Sequence, residues 1–360
     1  MRKESLSSLC KIINGYAFKS TDYTGTGYRV IRITNVQKGI VVDNDPKFIP
    51  EVIADKADSS KLMKNDILIS LTGNVGRVGR IDEQLLPAVL NQRVGLIRIN
   101  TSKLDDKYLF QYLNSDTFEN EAINNSNGVA QLNLSSKWVE KHQIPIPPLD
   151  DQKRIAHLLG KVEGMIARRK KHLKQLDELL KSVFLEMFGV NDKFEWDIIE
   201  NVADKKKKYS ISSGPFGSNL TSKHYTESGV IVLRGMNISS GKLKLDDIKF
   251  VSEEKSIELK RSELQAGDVV IVAVGSSGQA LQIPIGLPKM IMSQNFNKIS
   301  PDKEKVNSTY LEYCVNSRYV QSQFKKQITD TVRTFLSLTK IIGAKIPVPP
   351  ITLQNKFAAI

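Results

Sequence analysis

The sequence predicts an α/β (α+β) protein of two homologous domains separated by a long coiled-coil helix. Three observations support this prediction. A repeat covers most of the chain, each copy mixes short apolar strands with helical patterns, and an apolar stripe at heptad spacing lies between the copies. The chain has 360 residues, of which 40% are hydrophobic, so it is long enough for more than one domain with a core in each.

The repeat relates residues that stand 202 positions apart. Corresponding pairs occur along most of the copy: Arg32 and Arg234, Asn35 and Asn237, Gly73 and Gly275, Gly76 and Gly278, Gln92 and Gln294, Tyr108 and Tyr310. A period of this length excludes a solenoid of short repeats and indicates a duplicated globular domain. We therefore predict domains at 1–148 and 190–350, a helix at 149–189, and the start of a second, truncated helix at 351–360.

Within each copy, buried strands precede helices. The apolar patterns predict strands at 28–33, 66–71 and 94–99 and a helix at 106–115 in the first copy, and strands at 230–234 and 268–274 and helical spacing over 308–327 in the second. Each copy is therefore expected to form a sheet with one or more helices packed after it.

The segment between the copies has the features of a long helix. Pro147 and Pro148 favour an extended lead-in, while Asp150 and Asp151 suit the positive end of a helix dipole. Gly189 supplies a stop. From Ile155 to Phe188 such a helix is about 50 Å long, at ~1.5 Å per residue.

An apolar stripe runs along this helix at alternating spacings of three and four, which is the pattern of a left-handed coiled coil. The stripe consists of Leu159, Val162, Ile166, Leu173, Leu176, Leu180, Val183 and Met187. A single helix with such a stripe needs a partner, so we predict that these residues form a subunit interface. The alternative is that the helix packs on a neighbouring globule of its own chain.

Composition points towards nucleic acid and away from membranes. The chain carries 52 Lys and Arg against 39 Asp and Glu, a net charge of +13, which suits a polyanionic partner. The alternative is a basic surface without such a partner. No apolar run reaches about 18 residues and the N-terminus lacks a signal peptide, so a cytoplasmic location is expected. Cys10 and Cys314 form no metal or redox spacing.

Two similar segments carry a resemblance to a known family. They are Ile-Pro-Ile-Pro-Pro-Leu-Asp-Asp-Gln-Lys-Arg-Ile-Ala at 144–156 and Ile-Pro-Val-Pro-Pro-Ile-Thr-Leu-Gln-Asn-Lys-Phe-Ala at 346–358. Together with the duplication and the long helix, they make the chain resemble the specificity subunit of type I restriction–modification systems. Gly-Asp-Val-Val-Ile at 267–271 and its counterpart at 65–69 are also typical of that family.

The resemblance implies a function in which each globule is a target-recognition domain for one half of a bipartite DNA sequence. It implies that the helices form an antiparallel coiled coil that sets the distance between the half-sites. It also implies that catalysis lies on methyltransferase subunits, which bind S-adenosylmethionine, and on ATP- and Mg-dependent endonuclease subunits. No cofactor is then expected on this chain.

The sequence departs from the family pattern at one place. Residues 352–360 match 150–158, but counterparts of Leu159–Gly189 do not follow. Most of the second conserved helix is therefore expected to be lacking, through a shortened gene or protein, or to be supplied by another chain. We predict that the central helix takes a partner helix from a second chain, giving a homodimer through the apolar stripe.

Polar loops beside the strands are the predicted DNA contacts, because Lys and Arg bind phosphates while Arg, Asn and Gln read bases. In the first domain these residues are Lys19, Arg32, Asn35, Thr72, Asn74, Arg77, Arg80, Gln92 and Arg93. In the second they are Lys223, Arg234, Asn237, Ser276, Ser277, Gln279, Gln294, Asn295 and Asn297. The glycine-rich loop 72–80 is alternatively a tight turn between strands. Arg32 and Asn35 recur as Arg234 and Asn237, so these four are alternatively structural residues or phosphate contacts common to both domains. Lys205–Lys208 suits a DNA-backbone contact or is a solvated loop.

No catalytic or metal site is predicted. The four histidines lack zinc-ligand spacing, and neither a methyltransferase motif nor a nuclease carboxylate cluster is present. The leading prediction is thus a non-catalytic, DNA-reading subunit of a methyltransferase and endonuclease complex. One alternative is the recognition fragment of a fused restriction–methylation enzyme, and a weaker one is a protein-binding scaffold.

Overall fold

The structure of the chain, a computed structural model, describes residues 2–128, 131–189, 193–239, 241–275, 277–327 and 335–360. It divides into two compact units, Met1–Lys170 and Lys171–Ile360, here called unit 1 and unit 2. Unit 1 contains the first predicted copy and unit 2 the second. The finer domain boundaries at 148, 189 and 350 stay predictions.

Unit 1 is built from short strands and mostly short helices. Its strands are β1 Lys3–Ser5, β2 Cys10–Asn14, β3 Tyr28–Ile31, β4 Val36–Gln37, β5 Ile40–Val41, β6 Phe48–Ile49, β7 Ile67–Ser70, β8 Val78–Arg80, β9 Ala88–Leu90, β10 Val94–Ile99 and β11 Gln143–Pro145. Its helices are α1 Leu6–Leu9, α2 Glu51–Lys56, α3 Asp106–Leu113, α4 Asp116–Asn124 and α5 Ser136–Lys141, followed by the first part of α6, Leu149–Phe188.

Unit 2 repeats this order after the last part of α6. Its strands are β12 Trp196–Ile198, β13 Ile211–Ser213, β14 Val230–Leu233, β15 Ile238–Ser239, β16 Lys242–Leu243, β17 Lys249–Val251, β18 Glu263–Leu264, β19 Val269–Val272, β20 Ala280–Gln282, β21 Met290–Met292, β22 Phe296–Ile299 and β23 Lys345–Pro347. Its helices are α7 Glu253–Glu258, α8 Ser308–Asn316, α9 Arg318–Gln327, α10 Leu338–Ile342 and α11 Ile351–Ala358.

Each unit contains an antiparallel four-stranded sheet and a mixed sheet, which has three strands in unit 1 and four in unit 2. The antiparallel sheet has the strand order β2-β10-β7-β8 in unit 1 and β13-β22-β19-β20 in unit 2. The mixed sheets, β6-β3-β9 and β17-β14-β21-β18, each contain one parallel pair, β3 with β9 and β14 with β21. Strands β1 and β11, and likewise β12 and β23, close the chain ends of each unit as antiparallel pairs.

The antiparallel sheet is the middle of three layers. In β7, Ile67 and Ile69 join the core shared with the helices, while Leu68 joins the core shared with the mixed sheet. In β19, Ile271 and Val270 divide between the corresponding two cores in the same way. Alternate side chains of a strand point to opposite faces, so a nearly continuous apolar run is what a strand covered on both faces requires.

The predicted fold class is confirmed, with two differences in detail. The predicted helix over 308–327 is two helices, because the chain turns at Ser317 between α8 and α9. The offset of 202 also fails near the start of each copy: Lys3 on β1 corresponds to Trp196 on β12, and Gly15 corresponds to Gly214. Unit 2 therefore contains extra residues before β13 and again before Thr221, which a search at one fixed offset passes over.

Candidate nucleic-acid interface

The loops that contain most of the predicted DNA contacts meet because β3 and β9 are parallel. Ile31 pairs with Leu90, so the carboxyl ends of the two strands lie side by side. The loops that follow begin with Arg32 and Asn91, and the Asn91 amide donates to the Ile31 carbonyl at 3.0 Å. Parallel strands thus bring together side chains that are about 60 positions apart in the sequence.

Unit 2 repeats this geometry at β14 and β21. Leu233 pairs with Met292, and the Ser293 amide donates to the Leu233 carbonyl at 2.9 Å. The loops 234–237 and 293–295 are consequently neighbours. A third loop joins each cluster, and its backbone approaches the neighbouring loop closely at a glycine. A Cβ added to Gly15 would lie 2.1 Å from the Asn91 carbonyl oxygen, and a Cβ added to Gly214 would lie 2.0 Å from the Ser293 carbonyl oxygen. Only glycine allows so close a backbone approach.

The glycine loops after β7 and β19 complete the two clusters. The Leu71 amide donates to the Arg93 carbonyl at 3.0 Å, and the Ala273 amide donates to the Asn295 carbonyl at 2.7 Å. Gly76 has a φ of 78°, and its amide closes the turn on the Ser70 carbonyl at 3.0 Å. The alternative prediction of a tight turn between strands is therefore correct for 72–77, and this turn also borders the loop cluster.

An Arg–Asp–Asn framework is common to both clusters. The Asn35 side chain accepts from the Arg32 amide at 2.9 Å, and the Asn237 side chain accepts from the Arg234 amide at 3.0 Å. The guanidinium of Arg32 pairs with Asp45 at 3.1 Å, and Arg234 pairs with Asp247 at 3.0 Å. Hydrogen bonds from Lys47 and then Arg32 lower the pKa of Asp45, and Arg234 lowers that of Asp247.

The predicted contact residues divide by burial. Four of them, Asn35, Thr72, Asn237 and Asn297, are each less than 9% exposed and make hydrogen bonds within their own units. These four are not accessible for DNA contacts in this structure. The exposed ones are Lys19, Asn74, Gln92, Arg93, Lys223 and Gln294, with Ser277, Gln279 and Asn295 half-buried. Ser276 lies outside the described residues. As DNA contacts the accessible residues stay predictions.

Two of the predicted arginines are held by acidic partners away from the loop tips. Arg80 pairs with Asp106 at 2.7 Å and lies over the Phe110 ring, 4.6 Å from its centroid. It stands opposite Ile67, at the far end of β7 from the glycine loop. Arg77 donates to the Gln37 side chain at 2.9 Å and lies 3.7 Å from Glu119. Both therefore belong to the internal packing of unit 1.

The lysine run of unit 2 lies away from its loop cluster. Lys207 pairs with the buried Asp268 at 2.9 Å, just before β19 begins, whereas the glycine loop follows the end of β19. The loop cluster and Lys207 are thus at opposite ends of this strand. A DNA-backbone contact by Lys205–Lys208 stays a prediction, but not as part of the same loop cluster.

Three exposed apolar side chains at the clusters were missed by sequence reasoning, which searched only polar residues. Tyr16 is 42% exposed and exchanges backbone hydrogen bonds with Leu90 and Gln92. Phe216 and Met236 of unit 2 are 62% and 59% exposed. An aromatic residue just after a glycine that contacts another loop is the signal that identifies Tyr16 and Phe216.

The two repeated proline segments anchor helices to their own units through Gln152 and Gln354, which are both fully buried. The Gln152 side chain accepts from the Asp105 amide at 2.8 Å and donates to the Lys103 and Pro147 carbonyls at 2.9 and 2.8 Å. Gln354 makes the corresponding three bonds, at 2.9, 3.0 and 2.7 Å. The repeated Pro-Pro-x-x-x-Gln pattern thus encodes one joint used twice.

The apolar stripe of α6 is exposed at its first five positions and partly buried at its last two. Leu159, Val162, Ile166, Leu173 and Leu176 are between 43% and 52% exposed. Further along, Val183 and Met187 pack against the core of unit 2. The last two positions of the predicted interface therefore serve their own unit instead.

Two phenylalanines that the heptad analysis passed over hold the end of α6 in unit 2. Phe184 and Phe188 are 2% and 0% exposed. The Phe188 ring lies 4.8 Å from that of Tyr310, and the Phe184 ring lies 5.4 Å from that of Phe357 on α11. Their i, i+4 spacing next to the stripe is the sequence signal for this second, buried face.

Among the described residues, no cluster of three or more His, Cys, Asp or Glu side chains is arranged to hold a metal ion. In the same part of the chain, every helix is too short or too polar to cross a membrane.

Comparisons with known proteins agree on one family. Residues 2–178 match the type I restriction modification DNA specificity domain. The chain is 24% identical over 386 residues to the type I restriction enzyme EcoBI specificity subunit of Escherichia coli, covering 98% of this chain and 76% of that protein. It is also 24% identical over 365 residues to the MjaVIII specificity subunit of Methanocaldococcus jannaschii, covering 95% and 77%.

A solved structure shares the fold. The crystal structure of a type I restriction–modification system S subunit from M. genitalium matches with a TM-score of 0.56 and 16% identity, covering 99% of this chain and 87% of that one. The repeated loop clusters, the buried glutamine joints and the long helix thus occur in a chain that has the fold of that subunit.

Proposed function

Because residues 2–178 match the type I restriction modification DNA specificity domain, we propose that this chain is a specificity subunit of a type I restriction–modification system and reads a bipartite DNA target, one half-site with each unit. The observation that carries the proposal is the loop cluster found in both units. The Arg–Asp–Asn framework is the same in the two copies, whereas exposed positions differ, with Arg93 in unit 1 corresponding to Asn295 in unit 2. Two readers of different half-sites need a constant scaffold with variable side chains.

Adenine methylation and DNA cleavage are proposed to be carried out by partner subunits. On this proposal the chain itself binds no cofactor, and S-adenosylmethionine, ATP and Mg are bound by the methyltransferase and endonuclease subunits. The net charge of +13 supports a DNA partner, because a protein that neutralises phosphates gains affinity from counterion release.

Two measurements test this function. Sequencing of adenine methylation, with and without this chain beside its methyltransferase subunits, is expected to reveal one motif made of two short half-sites and a fixed gap. A footprint of the full chain should protect the same two half-sites, with affinity falling steeply as salt rises. A contiguous motif, or no protection of DNA, would contradict the proposal.

The exposed middle of α6 is proposed to bind a second helix, as its heptad spacing favours. In a homodimer this contact is limited to the residues between Leu159 and Leu180, because Val183 and Met187 already pack in unit 2. Sedimentation of the full chain at tens of micromolar tests the homodimer, and a strict monomer there would exclude it. If the homodimer is excluded, the proposed partner helix has to come from a different protein.

We also propose that the length of α6 sets the gap between half-sites. A seven-residue insertion after Leu173 preserves the heptad register and lengthens the helix by about 10 Å. The methylated motif should keep both half-sites and gain a longer gap. Altered half-sites with an unchanged gap would refute the spacer role.

A further inference from the structure

Unit 2 contains a cavity of about 270 Å³ within its loop cluster. It opens between the loops that follow β14 and β21, next to Gln294 and Asn295. Leu220, Tyr225 and Met236 give it apolar walls, and Arg234 and Ser293 give it polar ones. The volume lies just below the ~300–1,000 Å³ of usual small-molecule sites, so it suits a single planar ring system better than a whole nucleotide.

Among the described residues, one buried polar atom distinguishes this cavity: the Oγ of Ser293, a residue 7% exposed, has no hydrogen-bond partner. The Nε of Arg234 has none either, but neither does that of its counterpart Arg32 in unit 1, so that feature belongs to the shared framework. A buried polar group without a partner is unfavourable, so the Ser293 hydroxyl in the wall of this cavity indicates that a polar ligand completes it. The ligand must also offer apolar surface to the opposite wall.

A glycine leaves room for the cavity. Gly235 lines it, and the corresponding residue of unit 1 is Ile33, which is partly buried against the core between the two sheets. Gly235 has no positive φ, and an added Cβ would meet only the Asn295 side chain, at 3.5 Å. The backbone therefore does not require glycine at this position, and the space it leaves is available for a ligand.

We propose that this cavity receives one nucleobase of the target, turned out of the duplex stack. The inference rests on the proposed function, since it makes unit 2 a DNA reader. A base offers two apolar faces to Leu220, Tyr225 and Met236 and a polar edge to the Ser293 hydroxyl and the Arg234 guanidinium, which is how extruded bases are held in proteins. The exposed Phe216, which does not line the cavity, is the kind of side chain that fills the gap left in a stack.

Unit 1 is the internal contrast. At the positions of Gly235, Met236 and Ser293 it has Ile33, Thr34 and Asn91. Its half-site is accordingly expected to be read with all bases stacked, by side chains such as Gln92 and Arg93. The inference thus predicts extrusion in one half-site only.

An abasic-site scan tests the proposal. The full chain, without methyltransferase subunits that themselves turn out bases, is titrated with duplexes that contain both half-sites and one abasic site at each position in turn. Loss of the opposing base removes part of the cost of extrusion, so one position in the half-site of unit 2 should bind about tenfold more tightly than the intact duplex. At the other positions, binding should be unchanged or weaker.

Two variants connect that gain to the cavity. Gly235→Ile introduces the residue of unit 1, takes up the space and should abolish the tenfold gain while the half-site of unit 1 stays protected. Ser293→Ala removes a hydroxyl without a described partner, so stability should not fall, yet the gain should shrink several-fold. A thermal melt of each variant verifies folding, and Ser293→Ala keeps the test decisive if Gly235→Ile does not fold.

Three outcomes would overturn the proposal. If both half-sites are protected and no abasic position binds more tightly, base extrusion is wrong while the proposed function stands. If a gain persists undiminished in both variants, the base is accommodated elsewhere. If the chain protects no DNA, the proposed function fails and the inference fails with it.

Discussion

Unit 1 and unit 2 have the same scaffold, but unit 2 holds two helix segments where unit 1 holds one. Each unit anchors a following helix through a buried glutamine, Gln152 or Gln354. Unit 2 additionally buries Phe184 and Phe188 from the end of α6 against Tyr310 and Phe357. The glutamine joint is thus common to both copies of the domain, whereas the phenylalanine anchor at the end of α6 belongs to unit 2 only.

The largest expected difference comes from the aromatic anchor. Phe188→Ala should destabilise unit 2 by about 4 kcal/mol, because a fully buried ring is lost and a cavity is left. Unit 1 should be unaffected. Hydrogen exchange of peptides from each unit measures this, with Leu185→Ala, 53% exposed on the same turn, as the control. An equal loss in unit 1 would contradict the separation.

The glutamine joints should behave alike in the two units. Gln152→Ala leaves a backbone amide and two carbonyls without their side-chain partner, so unit 1 should lose about 3 kcal/mol. Gln354→Ala should do the same to unit 2. Urea unfolding measures both, and the exposed Gln84→Ala is expected to change stability by less than about 0.5 kcal/mol. A loss from only one of the pair would show that the joints are not equivalent.

Opposite pH dependence should distinguish the units further. Burial lowers the pKa of His142 in unit 1 below its usual 6.5, despite Glu121, and the corresponding residue of unit 2 is Ala344. Burial raises the pKa of Glu312 in unit 2 to about 7, and the corresponding residue of unit 1 is Phe110. The unfolded chain binds a proton more readily than His142 does and less readily than Glu312 does.

Unit 1 should therefore lose stability as pH falls below about 6.5, whereas unit 2 should lose it as pH rises from about 4.5 through about 7. The effect is expected to be on the order of 2 kcal/mol for Glu312. Hydrogen exchange of both units at pH 5 and pH 7 measures the two slopes. Glu312→Gln should abolish the pH dependence of stability in unit 2 and leave that of unit 1 unchanged. If the stability of both units changed with pH in the same direction, the assignment to Glu312 and His142 would be wrong.

The smallest expected effect concerns recognition. Gln92→Ala should relax one base position in the half-site of unit 1, and Gln294→Ala one in the half-site of unit 2, each by about 1–2 kcal/mol. Methylation sequencing of the two variants reads out both half-sites together. The exposed Gln84, away from the loop cluster, again serves as the control, and a change in both half-sites from either single variant would contradict one reader per unit.

Much of this architecture follows from sequence, because the repeat and the continuous apolar runs of fully buried strands such as 67–70 can be recognised in the sequence itself. The offset of 202 could not locate Gly214, since extra residues between Gly214 and Thr221 change the register of the copies. For Asn35 and Asn237 the sequence alone does not decide between a structural role and a DNA contact, because the same polar residue types hold turns and read bases. The cavity depends on three loops that meet only through the parallel pair β14 and β21.

The joint at Gln152 has a consequence for how such a protein changes over time. Its three hydrogen bonds all go to main-chain atoms, of Lys103, Asp105 and Pro147, and those of Gln354 go to Lys305, Asn307 and Pro349. Main-chain groups are the same whatever the side chain. Substitutions in the segments that Gln152 and Gln354 contact therefore leave these hydrogen bonds in place. The recognition loops of each unit can therefore diverge in sequence while the following helix stays attached to that unit by the same hydrogen bonds.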